Sequence, residues 1–161
     1  IYYWCSEMGE EELGDRLRNF SDIDIEDWSF VAKERTDNFT DVIVPDCINI
    51  VDYLEMSTDL WLVRDHLAAI QRKIGKGVAV IAIQKKKGAE LGRGAEFGTE
   101  KPKLYVTMDS GILRIEKAKT WKHKGVNPNG MVSKFKLVNG CDFINEPLNK
   151  DGAEAVQIGL M

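Results

Sequence analysis

Several things are scarce in this 161-residue sequence, and each shortage narrows its class. No apolar run approaches the roughly 18–20 residues of a membrane-spanning helix, and no signal peptide is visible. A soluble protein with no membrane partner is therefore expected. Histidine occurs only at His66 and His123, and no Cys-x-x-Cys is present, which leaves no zinc site to propose. The three cysteines, Cys5, Cys47 and Cys141, are odd in number and far apart. That pattern suits free thiols in a reducing compartment, so a cytoplasmic location is expected. The chain lacks an initiating Met and opens on Ile-Tyr-Tyr-Trp-Cys, which reads as the inside of a strand. The expectation is a fragment that starts in mid-domain, with no internal repeat.

What is present is ordinary globular material, 43% hydrophobic and 30% charged, long enough for one domain with a real core. Its charge is polarised. Residues 1–60 hold four Lys/Arg against sixteen Asp/Glu, a net of −12, and the rest holds 18 against 10, a net of +8. A basic half can attract a polyanion unless folding interleaves the two halves and cancels the field.

The organising stretch is Ile48–Glu55, where Ile48, Ile50 and Val51 run into Asp52, Tyr53 and Leu54. A short β-branched run of this kind reads as a strand buried on both faces of a parallel sheet. An acid at the carboxyl end of such a strand emerges where open α/β sheets bind ligands; otherwise it simply begins a turn. Leu60, Val63, Leu67, Ile70 and Ile74, spaced 3, 4, 3, 4, predict a helix with Ser57, Thr58 and Asp59 as candidate caps. Gly75 and Gly77 stop it, and Val78–Ile83 reads as a second buried strand ending in Gln84. Strand, helix, strand at these lengths is a right-handed βαβ unit. Residues 1–5 read as a further strand, followed by a turn at Ser6–Gly9. Glu10–Glu12 crowd a first helical turn, and Leu13, Leu17 and Phe20 form one apolar helix face. Residues 21–41 are acidic and mixed, with room for one or two short helices; Asp41–Cys47 fits a short strand or a helix end.

Residues 85–102 are polar, glycine-rich and basic, without periodicity. Loops of this length are uncommon unless they bind something or are mobile. Leu104–Met108, Ile112–Lys117 and Met131–Leu137 read as strands, the first two joined by a hairpin turn at Asp109-Ser110-Gly111. Lys119–Gly130 is a basic connection. Trp4, Trp28, Trp61 and Trp121 read as core or partly buried packing rather than base-stacking platforms, and Trp121, beside Lys119, Lys122, His123 and Lys124, is the one to test for nucleic acid.

Glu7, Asp52 and Gln84 thus each sit just past the carboxyl end of a candidate parallel strand. One carboxylate for a metal, another for proton abstraction and an amide that senses a phosphate make a workable set for nucleotide hydrolysis. In this order and context the chain resembles the latter part of the RecA-like ATPase domain of DnaB-type replicative helicases and related phage and plasmid ATPases. Tyr3-Trp4-Cys5-Ser6-Glu7-Met8, with Glu12-Leu13 and Arg16-Leu17, is similar to the segment whose glutamate activates the attacking water. Ile50-Val51-Asp52-Tyr53-Leu54-Glu55-Met56 resembles the Walker B strand, whose Asp supports Mg²⁺. Val80-Ile81-Ala82-Ile83-Gln84 resembles the strand ending in a sensor glutamine.

The resemblance implies further roles. Glu7 and Gln84 would be catalytic and Asp52 the metal residue. Lys85, Lys86, Lys87 and Arg93 would occupy a DNA-binding loop. Lys117 and Lys119 would be a basic pair acting in trans on a neighbour's nucleotide. It also implies ATP and Mg²⁺ as cofactors, single-stranded nucleic acid as partner, and a homo-oligomeric ring or filament. The expected fold is α/β and RecA-like, a mainly parallel sheet flanked by helices with antiparallel C-terminal strands. It would span 1–143, with 144–161 as a C-terminal tail.

Two departures stand out. No Gly-x-x-x-x-Gly-Lys-Ser/Thr is present, so the phosphate-cradling P-loop is expected upstream. The family's Lys-x-Arg finger is here Lys117-x-Lys119, and lysine lacks arginine's bidentate fork. If the chain is full length, both departures favour an alternative, a non-catalytic nucleic-acid-binding or assembly module of the same fold. A third option is a doubly wound enzyme acting on a small phosphorylated metabolite.

Overall fold

The computed structural model describes residues 1–56 and 59–147. The proposed caps Ser57 and Thr58, and most of the expected tail, lie outside the described residues. The chain divides into two compact units, Ile1–Pro102 and Lys103–Met161.

The first unit is α/β. Its strands β1 (Tyr2–Cys5), β2 (Val31–Glu34), β3 (Ile48–Asp52) and β4 (Val78–Ile81) form one parallel sheet in the order β2-β1-β3-β4. Helices α1 (Glu10–Leu17), α2 (Phe39–Val42), α3 (Val63–Lys73) and α4 (Glu96–Thr99) fill the connections. The side-chain period of two gives each strand two faces. Trp4, Val51, Ala79 and Ile81 point to one face, where Phe39, Ile43, Val63, Leu67, Ile70 and Ile74 close the core. On the other face an aromatic series runs from Tyr3 through Phe30 and Trp28 to Phe20, with ring centroids 6.2, 5.9 and 5.2 Å apart. The β4 end of that face stays open, with Val78 and Val80 54% and 55% exposed.

The expected helix after Asp52 is present, but it begins later than the spacing implies. Asp59 adopts a left-handed conformation (φ 50°) and makes no side-chain cap, and Leu60–Leu62 form a separate 3-10 turn. Leu60 is therefore exposed, whereas Val63, Leu67 and Ile70 are buried along α3. The helix is tied to α2 at its carboxyl end, where Lys73 Nζ donates to the carbonyls of Thr40 (2.8 Å) and Asp41 (2.7 Å).

The acidic stretch 21–41 contains an edge strand, β2, besides short helical turns. Residues 85–102 are also less open than their composition suggests. Gly94, at φ +91°, packs so closely on Val63 and the Leu60 carbonyl that no Cβ fits, and α4 follows.

Inside the first unit lies Asn49, with 0% of its surface exposed. Its Oδ1 accepts from the Val44 N–H (2.9 Å) and from Trp4 Nε1 (3.3 Å), and its Nδ2 donates to the Val44 carbonyl (2.8 Å). One carboxamide thereby joins β1, β3 and the segment entering β3.

The second unit is an antiparallel sheet in the order β5-β6-β7-β8: Leu104–Asp109, Ile112–Ala118, Val132–Val138 and Asp142–Pro147. The Asp109–Gly111 turn is where the sequence places it. The last strand runs to Pro147, four residues into the expected tail. The finer assignment, a RecA-like fold, is taken up as a proposal below. Among the described residues no helix is long and apolar enough to cross a membrane. Among the described residues no cysteine is in a disulfide.

Replacing Asn49 by Leu should cost the first unit about 2–5 kcal/mol, because one buried and two partly buried polar groups lose their partner at about 1–3 kcal/mol each with partial relaxation. Denaturant unfolding followed by circular dichroism checks this. A loss below about 1 kcal/mol would mean that these groups find other partners.

Candidate functional site

Parallel β1 and β3 end side by side, Cys5 opposite Asp52, so whatever follows each strand emerges at one edge. The two exits are stitched together. Ser6 N–H donates to the Asp52 carbonyl (2.9 Å), and the Ser6 hydroxyl accepts from the Tyr53 N–H (3.1 Å). Beyond them the Met8 N–H donates to Cys5 Sγ (3.2 Å), which turns the chain toward α1. The Asp52–Tyr53 peptide is cis.

These bonds bring Glu7 and Asp52 to a cleft of about 460 Å³, lined also by Cys5, Met8, Glu12 and Arg16. Each carboxylate is held by a tyrosine of the other strand's segment. Tyr3, in β1, donates to Asp52 Oδ2 at 2.6 Å; Tyr53, just after β3, donates to Glu7 Oε1 at 3.0 Å. Phenol-to-carboxylate bonds of this kind are charge-assisted and short. Burial, and then the bond to Asp52, push the Tyr3 phenol well above its ordinary value. Tyr53 is raised by desolvation and then by its bond to Glu7, with Arg93 acting in the opposite sense. Both phenols therefore stay protonated donors at neutral pH. Glu12 and Arg16 pair across one helical turn (2.8 Å), which places a cation at the cleft wall.

Sequence reasoning brought Glu7 and Asp52 to one edge, and the structure places both in one cleft. Gln84 is not among the lining residues. It lies three positions beyond β4, partly buried, and its carbonyl accepts the Arg93 N–H (2.8 Å). Lys86 and Lys87 are exposed and Lys85 partly so. Arg93 turns inward instead, its Nη1 donating to the Met56 carbonyl (3.3 Å). Lys117 and Lys119 belong to the second unit, at the end of β6 and just past it. The roles of Tyr3, Tyr53 and the Glu12–Arg16 pair were not read from the sequence. The signal for the tyrosines was a phenol one or two positions from each strand end, and for Glu12 and Arg16 their spacing of four.

Among the described residues no group of three His, Cys, Asp or Glu is placed to hold a metal ion. Mg²⁺ commonly takes only one or two carboxylates, its other ligands being waters and substrate phosphates. A carboxylate has about four lone-pair sites, so Asp52 can accept from Tyr3 and still serve such an ion. Comparison with known proteins adds no identity, since neither a protein-family model nor a curated protein matches the chain.

Alkaline titration tests the crossed tyrosines. Of four phenols, those of Tyr3 and Tyr53 should ionise above the usual value of about 10. The folded state favours the neutral phenols. Their contribution to stability is therefore full below about pH 10 and is lost as pH rises through the raised values. Asp52→Asn should lower Tyr3 only part of the way, because burial remains. Four phenols titrating together near 10 would remove these bonds from the account.

Proposed function

We propose that the chain is part of a Mg²⁺-dependent, nucleic-acid-stimulated ATPase with a RecA-like fold, of the DnaB-type helicase or recombinase kind. The observation that carries this reading is the placement of Glu7 and Asp52 in one cleft at the carboxyl edge of a parallel sheet, the position at which open α/β sheets bind ligands. In this reading Glu7 orients a water and takes its proton, with the Tyr53 hydroxyl fixing the carboxylate. Asp52, oriented by Tyr3, supports Mg²⁺, which when bound neutralises charge on the phosphates. Gln84 senses the phosphate state from the loop that also carries Lys85, Lys86, Lys87 and Arg93. Lys86 and Lys87, being exposed, are the foremost backbone contacts for single-stranded nucleic acid. Lys117 and Lys119 act across the subunit boundary of a homo-oligomeric ring or filament.

A second reading is a non-catalytic nucleic-acid-binding or assembly module. It is favoured by Lys117-x-Lys119 standing where the resemblance implies Lys-x-Arg, since lysine lacks arginine's bidentate fork.

On the first reading the isolated chain shows no Mg²⁺-dependent ATP turnover, since its sequence carries no P-loop motif to cradle the β- and γ-phosphates and positioning dominates phosphoryl transfer. In a polypeptide that carries this unit together with a P-loop, Glu7→Gln should retain ATP binding and lose on the order of 10²–10⁴ in turnover. Asp52→Asn should instead weaken Mg²⁺-dependent binding. Wild-type hydrolysis by both variants would reduce the cleft to an accident of topology.

The lysine triplet gives a separate test. Replacing Lys85, Lys86 and Lys87 by Ala should weaken binding to all single-stranded sequences alike, and should shrink the slope of log K against log salt by roughly 0.7 per lost contact. An unchanged slope would return these lysines to a solvated loop.

A further inference from the structure

We infer that the β6–β7 connection, Lys119–Gly130, is a second contact for single-stranded nucleic acid, in which Trp121 stacks on an unpaired base and the neighbouring lysines meet the flanking phosphates. The inference rests on the reading above for the class of partner, but it stands on a different loop in the other unit.

Three observations carry it. The first is charge. No acid stands between Glu116 and Asp142, while six lysines do. Three of these, Lys119, Lys122 and Lys124, fall in the connection itself, and such a run attracts a polyanion. The second is the aromatic. Trp121 is 40% exposed and, with Lys119, Thr120 and Lys124, lines a depression of about 220 Å³. The other exposed tryptophan, Trp61, stands between Leu60 and Leu62, and the nearest cation in sequence, Arg64, lies beside the carboxylates of Asp65 and Glu100. Trp121 joins an exposed indole to lysines on both sides in sequence, the combination that binds single strands with little sequence preference.

The third observation is that the loop is held in shape at its base. Asn129 Oδ1 accepts the Ala118 N–H, and its Nδ2 donates to the Ala118 carbonyl (3.3 Å) and to Asn127 Oδ1 (2.8 Å). The Gly130 N–H donates to the Ile115 carbonyl (2.7 Å), and the Val126 N–H to that of His123 (3.0 Å). A braced loop gives up less freedom when a strand settles on it.

Stacking separates this proposal from a purely ionic patch. Phosphate contacts alone serve duplex and single strand alike, whereas an indole needs an unpaired base. The test measures fluorescence anisotropy of a labelled oligodeoxythymidine, a duplex of equal length and anionic phosphatidylserine vesicles with the 161-residue chain. Trp121→Ala should weaken single-strand binding roughly 5- to 100-fold and leave duplex binding nearly unchanged, and Trp121→Phe should retain most of the affinity. Lys122→Gln with Lys124→Gln should shrink the single-strand salt slope by roughly 1.4. An unchanged circular dichroism spectrum and melting temperature show that the variants fold. If single strands bind and these variants leave affinity and slope unchanged while the Lys85–Lys87 triple variant lowers them, this inference falls and the glycine-rich loop keeps its role. An equal loss on duplex, or preferential binding to vesicles, also overturns it. No single-strand binding by the unaltered chain overturns both readings.

Discussion

The first unit depends on the pairing of β1 with β3, and that pairing is locked by a polar bond on each face. Trp4 lies opposite Val51, yet its indole N–H reaches Asn49, two residues earlier on β3. Tyr3 lies opposite Ile50, yet its hydroxyl reaches Asp52, two residues later. The first diagonal is buried in the core and the second opens on the cleft. Buried polar groups are costly unless matched. A one-residue slip of β3 would exchange its faces, leaving the Asn49 amide among partners it cannot satisfy and moving Asp52 away from its phenol. The register that builds the core is therefore the register that assembles the cleft.

How the fold follows from composition is plainest where apolar runs are short and β-branched. Ile48–Asp52 and Val78–Ile81 are strands because Val and Ile suit a pleated, crowded surface. The helix between them is amphipathic enough to be read by spacing alone, except at Leu60, where the backbone turn at Asp59 shifts the phase. Val31–Glu34 was illegible. It is an exposed edge strand with only one β-branched residue, and its identity comes from pairing with β1 rather than from its own pattern. The extension of β8 into a stretch without strong pattern is likewise the work of its partner β7.

The site was half legible. An acid past the end of a buried strand has a place that topology determines, so Glu7 and Asp52 could be named in advance. Which phenol reaches which carboxylate depends on the angle between neighbouring strand exits, and no spacing encodes it. Asn49 was hidden for a related reason. A polar residue between two isoleucines reads as a solvent-facing position, while here the isoleucine side is the more open one and the amide points into the core. Arg93 looked like a free cation in a basic loop, and a backbone carbonyl 37 residues away holds it.

The strand order β2-β1-β3-β4 also bears on how the chain reaches its fold. The first strand in sequence is an inner strand of its sheet, and its partners arrive only with Val31 and Asn49. The sheet is thus closed by long-range contacts, each bearing the entropy of ordering the intervening chain, which slows folding. In the second unit every strand pairs with its neighbour in sequence, so zipping can proceed hairpin by hairpin. As residues emerge in order during synthesis, Tyr2–Cys5 precedes both of the strands it pairs with here, and a strand exposed before its neighbours arrive is open to premature association. The acid-rich stretch that follows it, from Glu7 to Asp27, gives that waiting strand a repulsive escort against like chains until β3 arrives.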